Sequence, residues 1–426
     1  MSDFFSELQW RGLIHDTTPG VEEHLKSAIV RAYIGFDPTA PSLTIGNYVQ
    51  IMLLQFLQRA GHQPVVLMGG ATGRIGDPSG KDKERDLKST EELDRNTARQ
   101  EEQVKKLLDF SEDRPNRALL VNNYDFYAEM NVLNFLRDVG KYLTVNYMLA
   151  KESVKRRIES ESGISFTEFS YQLLQGFDYV VLNRKYGITL QMGGSDQYGN
   201  ITAGVELNRK IDDKKVFAIT TPLLTKTDGT KFGKSESGNI WLDAAMTTPY
   251  HFYQFWINAD DRDLPKFLRY FSFKNRGEIE SLEATGNGQE IKRTFAEEMT
   301  LRIHGEKAFQ AVLAVSQLLF DPKAGADTLH LLDANTLDEV SKEIPSPEVS
   351  PSVIQGGISI LEFLSEHTGI LPSKTEVKKA IQNNAISINK EKVNSLETII
   401  SPKDLLHGKF IMAENGKKNK YMIRVG

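Results

Sequence analysis

The sequence predicts an α/β protein built on a doubly wound parallel sheet, followed by a helical region and a small α+β module. Three observations carry that prediction. Arg31 to Phe36 reads as a strand, a helix opens near Thr44-Ile45-Gly46-Asn47, and a second apolar strand runs from Pro64 to Met68. That is the order of a parallel βαβ unit. Ile188 to Met192 is a further strand, ending in Gly193-Gly194-Ser195-Asp196-Gln197, a glycine turn into a helix with an acid at its start. Such a turn belongs to the second ligand-binding crossover of a doubly wound sheet. From Ser373 a basic helix is followed by short alternating strands, a compact module of its own.

The elements follow in chain order. Residues 1–30 read as helical and peripheral. The strand from Arg31 must end at Pro38, which has no N–H for a ladder. The next helix carries Val49, Met52, Leu53, Phe56 and Leu57 at helical spacing and stops at Gly61. After Met68 comes GGATGRIGDPSGKDKER, whose glycines let backbone approach a ligand closely. Its spacing fits neither a dinucleotide fingerprint nor a Walker loop. Ser89 and Glu92 have capping-box spacing and open a polar helix to about Phe110. Ala118 to Val121 is a short buried strand, and helices are expected at Val132 to Val139 and Thr144 to Arg157. Ser165 and Glu168 open a helix to about Asn183, and Val216 to Thr220 is the last strand of the sheet. From Thr248 the chain is helical and aromatic to about Phe320; residues 322–352 then carry prolines, PSPEVSPS among them. A helix from Ile358 to Glu366 opens the terminal piece. The expected boundaries are 1–228 for the sheet domain, 229–325 for a lysine loop and helical domain, 326–355 for a linker and 356–426 for the terminal module.

At 426 residues the chain exceeds what one core organises, so two or three domains are expected. Hydrophobic content of 40% and charged content of 26% are those of a soluble globular protein. No apolar run approaches the ~20 residues of a membrane span. The opening MSDFFSELQWRG is acidic and amphipathic, without a signal-peptide layout. The absence of cysteine excludes disulfides, thiolate metal sites and a cysteine nucleophile, and fits a cytoplasmic location. Net charge is −5, yet Leu371 to Gly426 holds eleven Lys/Arg against five Asp/Glu, a surplus of six on an acidic remainder. An anionic partner touched at one end explains this; a solvated lysine-rich surface explains the charge alone equally well.

Polar residues crowd the carboxyl ends of the first two strands: Asp37, Thr39, Thr44, Asn47 and Asp77. Asp77, Lys81 and Arg85 within one glycine-rich loop favour binding over a purely structural role. Tyr171, Gln175 and Asp178 are spaced i, i+4, i+7 and share one helix face. Turned inward, that face needs a polar ligand to satisfy it; turned to solvent it needs none. Asp196, at the start of its helix, stands where a ribose hydroxyl is read. Lys231 and Lys234 flank Phe232-Gly233 in TKTDGTKFGKSESG, which suits a mobile phosphate clamp, although such lysines are more often merely exposed.

Together GFDPTAPSLTIGN, GGATGRIGDPSGK, SFTEFSYQLLQGFDY, QMGGSDQYGN and DGTKFGKSESG resemble the bacterial-type tyrosyl-tRNA synthetases, which are class I aminoacyl-tRNA synthetases. Each motif alone is ambiguous within class I; five in this order are highly specific. The resemblance runs from near residue 31 to about 260. It resumes in the tail, which is similar to an RNA-binding module of a small-subunit ribosomal protein. It implies a Rossmann-like catalytic domain with a dimerisation insertion, an α-helical domain, a tRNA-binding C-terminal module and a cytoplasmic homodimer. The implied activity is tyrosine–tRNA ligation: ATP activates tyrosine to tyrosyl-adenylate with release of pyrophosphate, and the tyrosyl group passes to the 3′ end of its tRNA. ATP is a substrate, and Mg²⁺ is expected to travel with it and to need no dedicated protein metal site.

Carried over residue by residue, the resemblance gives Tyr33 and Asp178 to the phenolic hydroxyl of tyrosine, Asp77, Tyr171 and Gln175 to its ammonium, and Gln197 to its carboxylate. Asp196 and Gly194 would meet the ribose, Leu223 and Leu224 the adenine, and Asp37, Gly46 and Asn47 the rest of ATP. Thr39, Thr44, Asn47, Lys81, Arg85, Lys231, Lys234 and Ser235 would serve the reacting phosphates. Two features depart from the pattern. The first signature, His-x-Gly-His or His-x-Gly-Asn in the family, reads Thr44-Ile45-Gly46-Asn47 here. A threonine is shorter and never cationic, and losing one oriented donor to a transition-state phosphate costs on the order of 10²–10³ in rate. In the tail, Asn384 and Lys390 stand where glycine is usual, and Asn tolerates left-handed backbone more readily than Lys. Other readings stay open on the sequence. A paralogue impaired at Thr44 would bind tyrosine without forming adenylate. A synthetase for another aromatic amino acid, such as tryptophan, would have no use for the Tyr33/Asp178 pair. A pure RNA-binding protein would bind no ATP.

Overall fold

The structure, a computed structural model, describes residues 3–79, 87–159, 163–227, 229–230, 232–235, 238–321, 324–416 and 418–426. The chain divides into two compact units: 1–247 with 258–295, and 248–257 with 296–426.

Six strands of the first unit form one sheet, in the order β1 (Asp16–Thr17), β6 (Phe217–Thr221), β5 (Leu190–Gly194), β2 (Arg31–Phe36), β3 (Gln63–Met68), β4 (Leu119–Asn122). Neighbours among β2–β6 pair in parallel, and β1 lies antiparallel to β6. The chain winds outward from β2 to β3 and β4. It then returns to lay β5 against the other side of β2, in the register Ala32↔Leu190 and Tyr33↔Gln191. Strand order therefore reverses between β2 and β5, and a crevice opens beyond their carboxyl ends. Every residue of β3, β5 and β6 is buried, as expected of parallel strands covered on both faces.

Residues 1–30 are less peripheral than their polarity suggests. Helix α1 (Phe4–Arg11) buries Phe4 and Leu8, and β1 extends the sheet. The buried Arg11 guanidinium donates to the carbonyls of Arg269, Ser272 and Lys274 at 2.6–2.9 Å, capping the helix Leu264–Phe271. After α2 (Val21–Ser27) and β2, helix α3 (Ile45–Arg59) starts at Thr44, whose side chain forms a reciprocal capping box with Asn47. Helix α4 (Thr90–Leu107) is capped by Ser89. The helix expected over Thr144 to Arg157 is two, Val145–Leu149 and Glu152–Ile158. It breaks at Lys151, which is extended and whose ammonium reaches the Tyr147 and Thr202 hydroxyls.

Helices α5 (Phe166–Tyr186) and α6 (Tyr198–Asp212) flank the returning strands. They touch through glycines: a Cβ on Gly204 would lie 3.0 Å from Tyr179 Cβ and 3.5 Å from Gly176 Cα. No larger residue permits that approach. At the start of α5, Glu168 accepts from Arg157 Nε at 2.8 Å and Nη2 at 2.9 Å, both side chains being 2% exposed.

In the second unit, the strands Glu391–Lys392, Ile386–Ile388, Phe410–Asn415, Asn419–Val425 and Glu348–Val349 lie side by side in that order, over a core including Phe363, Val377 and Ile411. The span expected as a linker is folded. It forms helices Ala326–His330, Ala334–Glu343 and Pro351–Gln355, and Glu348–Val349 is a parallel edge strand. Its prolines suit an edge because they need only accept: Met422 N–H donates to Pro345 O and Arg424 N–H to Pro347 O. The helix expected from Ile358 begins instead as a short strand, Ile358–Ser359, paired with Ile399–Ile400. Asn384 and Lys390 both adopt positive φ, 54° and 69°.

The Arg157–Glu168 pair yields a stability prediction. Glu168→Ala leaves a buried guanidinium without its carboxylate and is expected to cost about 3–5 kcal/mol. A fall in the urea midpoint no larger than that of a surface Glu→Ala control would contradict it.

Candidate active site

A cleft of about 410 Å³ opens over the carboxyl ends of β2, β3 and β5. Of the residues singled out in the sequence, Tyr33, Asp37, Thr39, Thr44, Gly46, Asn47, Asp77, Tyr171, Gln175, Asp178, Gly194, Asp196, Gln197 and Leu223 line it. Leu224 is half-buried and is not in its lining. Lys81, Arg85 and Lys231 lie outside the described residues, and Lys234 and Ser235 are described in backbone only, as a short strand paired with Gly238–Asn239.

One end of the cleft is deep and carries buried polar groups. Tyr33 rises from β2 with its hydroxyl buried and without a hydrogen-bond partner among the described residues. Asp178, on the face of α5 shared with Tyr171 and Gln175, accepts from Asn123 Nδ2 at 2.9 Å and the Tyr127 hydroxyl at 2.8 Å. Burial raises its carboxyl to about 7, against those two donors, which lower it, and with Asp37, which adds to the rise. Asn123 is itself fixed, its Oδ1 accepting from Ala71 N–H at 2.7 Å and its Nδ2 reaching Thr72 Oγ1 at 3.1 Å.

Nearby, Asp77 accepts from Gln197 Nε2 at 2.6 Å, Ser79 N–H at 2.9 Å and Asn200 Nδ2 at 3.3 Å. The Tyr171 hydroxyl donates to Asp37 at 2.9 Å, and Thr72 Oγ1 donates to the other Asp37 oxygen at 2.7 Å. Burial and the fields of Asp37, Asp77 and Asp178 push the Tyr171 phenol well above its ordinary range. Gly69 makes room for this arrangement, since a Cβ there would fall 2.0 Å from Asp37 Oδ1. Asp37 and Asp77, close to one buried phenol, make this end favourable for a cation.

Gly194 closes β5, Asp196 follows in the turn, and the exposed Leu223 lies across from them. Gln50 donates through Nε2 to Thr221 Oγ1 at 3.2 Å, with its Oε1 buried. The segment after the lysine loop is strapped to the start of α3: Ile45 N–H donates to Ile240 O, Leu242 N–H to Leu43 O, and Thr44 lies in a bridge with Trp241. That brings Asn239 and Trp241 into the lining, which the sequence reading missed. It also missed Thr72, Gln191, Asn123 and, behind Asp178, Tyr127. Asn123 had a signal: it directly follows β4, and the carboxyl-end rule applies to that strand too. Tyr127 and Trp241 had none, because long-range folding alone brings them in.

Residues 26–321 match the family described as tRNA synthetases class I (W and Y), and residues 336–423 match the tyrosine–tRNA ligase SYY-like C-terminal domain. The chain is 50% identical over 430 residues to a tyrosine–tRNA ligase of Cytophaga hutchinsonii, covering all of both chains. It is 49% identical to one of Porphyromonas gingivalis, over 99% of this chain and all of that one. Among solved structures it resembles a C-terminally truncated mitochondrial tyrosyl-tRNA synthetase of Aspergillus nidulans. That match has a TM-score of 0.67 and 32% identity, over 75% of this chain and 95% of that one.

Asp178 makes folding depend on pH. A carboxyl whose folded pKa lies near 7, above its ordinary 3.8, binds its proton more tightly when folded. Its contribution to stability is full below about pH 4 and is lost as pH rises through 7. Without ligand, the unfolding free energy of the native protein should therefore fall relative to Asp178→Asn across that window. The expected drop is on the order of 4 kcal/mol, from about 1.4 kcal/mol per pH unit. A constant difference from pH 4 to 8, by urea titration, would refute this.

Proposed function

The chain belongs to the class I tRNA synthetases, among the tyrosine–tRNA ligases, and we propose that the cleft at its sheet switch point is where that ligation takes place. The observation that supports this best is that the Tyr33 hydroxyl, buried with no hydrogen-bond partner among the described residues, and the Asp178 carboxyl line the same cleft. A buried hydroxyl without a partner costs stability, and the phenolic oxygen of tyrosine would satisfy it while donating to Asp178. Phenylalanine would leave the Tyr33 hydroxyl unsatisfied and bring Asp178 no further donor. Asp77, Tyr171 and Gln175 then take the ammonium, in the field of Asp37 and Asp77, and Gln197 orients the substrate carboxylate. Asp37, held by the Tyr171 and Thr72 hydroxyls, would stand at the junction of amino acid and nucleotide. Asp196 and the Gly194 backbone suit the ribose, and Leu223, with Leu224 behind it, the adenine. Gly46 leaves space for the phosphates at the start of α3.

The tyrosine carboxylate is already a nucleophile, so the first step needs no general base. It attacks the α-phosphorus in line and expels pyrophosphate. The chain's task is to hold the two substrates together and to stabilise the growing negative charge. Thr39, Asn47 and the loop residues Lys81, Arg85, Lys231, Lys234 and Ser235 are the groups proposed for that charge. Mg²⁺ would enter on the triphosphate. The basic C-terminal module would hold tRNA by phosphate contacts, with an affinity that falls with salt.

We also propose a homodimer. Val132, Leu133, Leu136, Val145 and Phe166 are exposed apolar side chains on the insertion between β4 and β5, a concentration that soluble surfaces rarely leave uncovered.

Two outcomes are expected. ATP–pyrophosphate exchange should be driven by tyrosine and not by phenylalanine or tryptophan. Tyr33→Phe should lower kcat/KM for tyrosine about tenfold, the value of one hydrogen bond. Tyrosine binding without exchange would favour the impaired paralogue instead. Leu133→Asp should shift the sedimenting species from dimer to monomer; an unchanged dimer would place the contact elsewhere.

A further inference from the structure

We propose that Thr44 does not touch the nucleotide but acts through Asn47, as a positioning residue that turns the Asn47 amide nitrogen toward the phosphates. The proposal rests on the ligase reading above and replaces the direct role the family signature suggests for position 44.

Three short contacts at the start of α3 carry it. Thr44 N–H donates to Asn47 Oδ1 at 3.0 Å, the Thr44 hydroxyl lies 2.7 Å from the same oxygen, and Asn47 N–H donates to Thr44 Oγ1 at 3.2 Å. A backbone N–H is only ever a donor, so the amide atom it meets must be the oxygen. That decides which way the Asn47 side chain faces. The Thr44 hydroxyl accepts from Asn47 N–H, and its single proton goes to Oδ1. Two donors thus hold Oδ1, and the two protons of Nδ2 remain; no described protein group accepts from them. Asn47 is exposed and lines the cleft.

The Thr44 hydroxyl, by contrast, has no proton left for a phosphate. Nor can its backbone swing it elsewhere. Ile45 N–H and Leu242 N–H fasten the chain on either side of Thr44 to the strap opposite. A threonine in this place therefore supplies an oriented donor one helical turn away, at the positive end of the α3 dipole.

A double-mutant cycle read by tyrosine-dependent ATP–pyrophosphate exchange on the full-length protein tests this. Asn47→Ala should lower kcat on the order of 10², as for loss of one transition-state donor. Thr44→Val should lower kcat about tenfold with the KM for tyrosine little changed, and Thr44→Ser should recover most of the loss by restoring the hydroxyl, on the same reasoning. The double variant should be no slower than Asn47→Ala alone to within about threefold, the scatter expected of a shared interaction. Thr44→Gly, a residue tolerated at helix starts, repeats the cycle if the valine variant folds poorly. Losses that multiply in the double variant, or a Thr44→Val enzyme as fast as wild type, would overturn the proposal while leaving the ligase reading intact. Absence of exchange in the wild type would overturn both.

Discussion

The parallel pairing of β2 with β5 is the constraint on which the rest depends. It joins Tyr33 to Gln191, residues far apart in sequence, and it creates the reversal of strand order where the cleft opens. A parallel pair needs a crossover between its strands, and here the crossover is most of the unit: β3, β4, the exposed insertion and α5. The same reversal delivers the polar face of α5 to the end of β2. Without it, Tyr171, Gln175 and Asp178 would be a polar stripe with no purpose. Buried β3, β5 and β6 then make the floor rigid, so that groups at their ends are held rather than merely near one another.

Within the cleft, burial and hydrogen bonding oppose each other at Asp178. Asp178 sits in a place that disfavours its charge, and Asn123 and Tyr127 only partly compensate. Asp77 and Asp37 are instead supplied with donors from Gln197, Ser79, Thr72 and Tyr171. The result is one carboxyl whose charge burial disfavours, beside two that several donors orient. That division suits a ligand with a hydroxyl at one end and a cation at the other.

The C-terminal module illustrates why a charge count overstates a binding surface. Lys390 Nζ lies 2.8 Å from Glu414, and both Lys390 and Lys420 donate to the carbonyl of Leu318. These two of the eleven cations serve internal packing. Lys390 also occupies left-handed backbone at φ 69°, a conformation an ordinary residue adopts at a cost. Its ion pair and helix-end contacts offset that cost. Lys374 and Lys379 are paired with acids of their own, in more exposed and therefore weaker bridges.

The sequence by itself determined most of the element types around the cleft and which polar residues stand in them. Pro38 had to stop a strand, Ser89 and Ser165 had to cap helices, and the 171–175–178 spacing had to share a face, because these are local rules of backbone geometry. Fourteen of the residues singled out meet in one cleft: some, such as Asp37, Thr44 and Asn47, stand where a strand ends or a helix starts, while Tyr171, Gln175 and Asp178 share one face in the middle of α5. Tertiary structure decided what local rules cannot reach. It made the proline-bearing stretch a sheet edge, because its carbonyls found donors in the last strand. It brought Asn123 and Tyr127 to Asp178 across more than fifty residues. And it committed the Thr44 proton to Asn47, since which acceptor a hydroxyl meets depends on how two segments are folded together, not on the residue type alone.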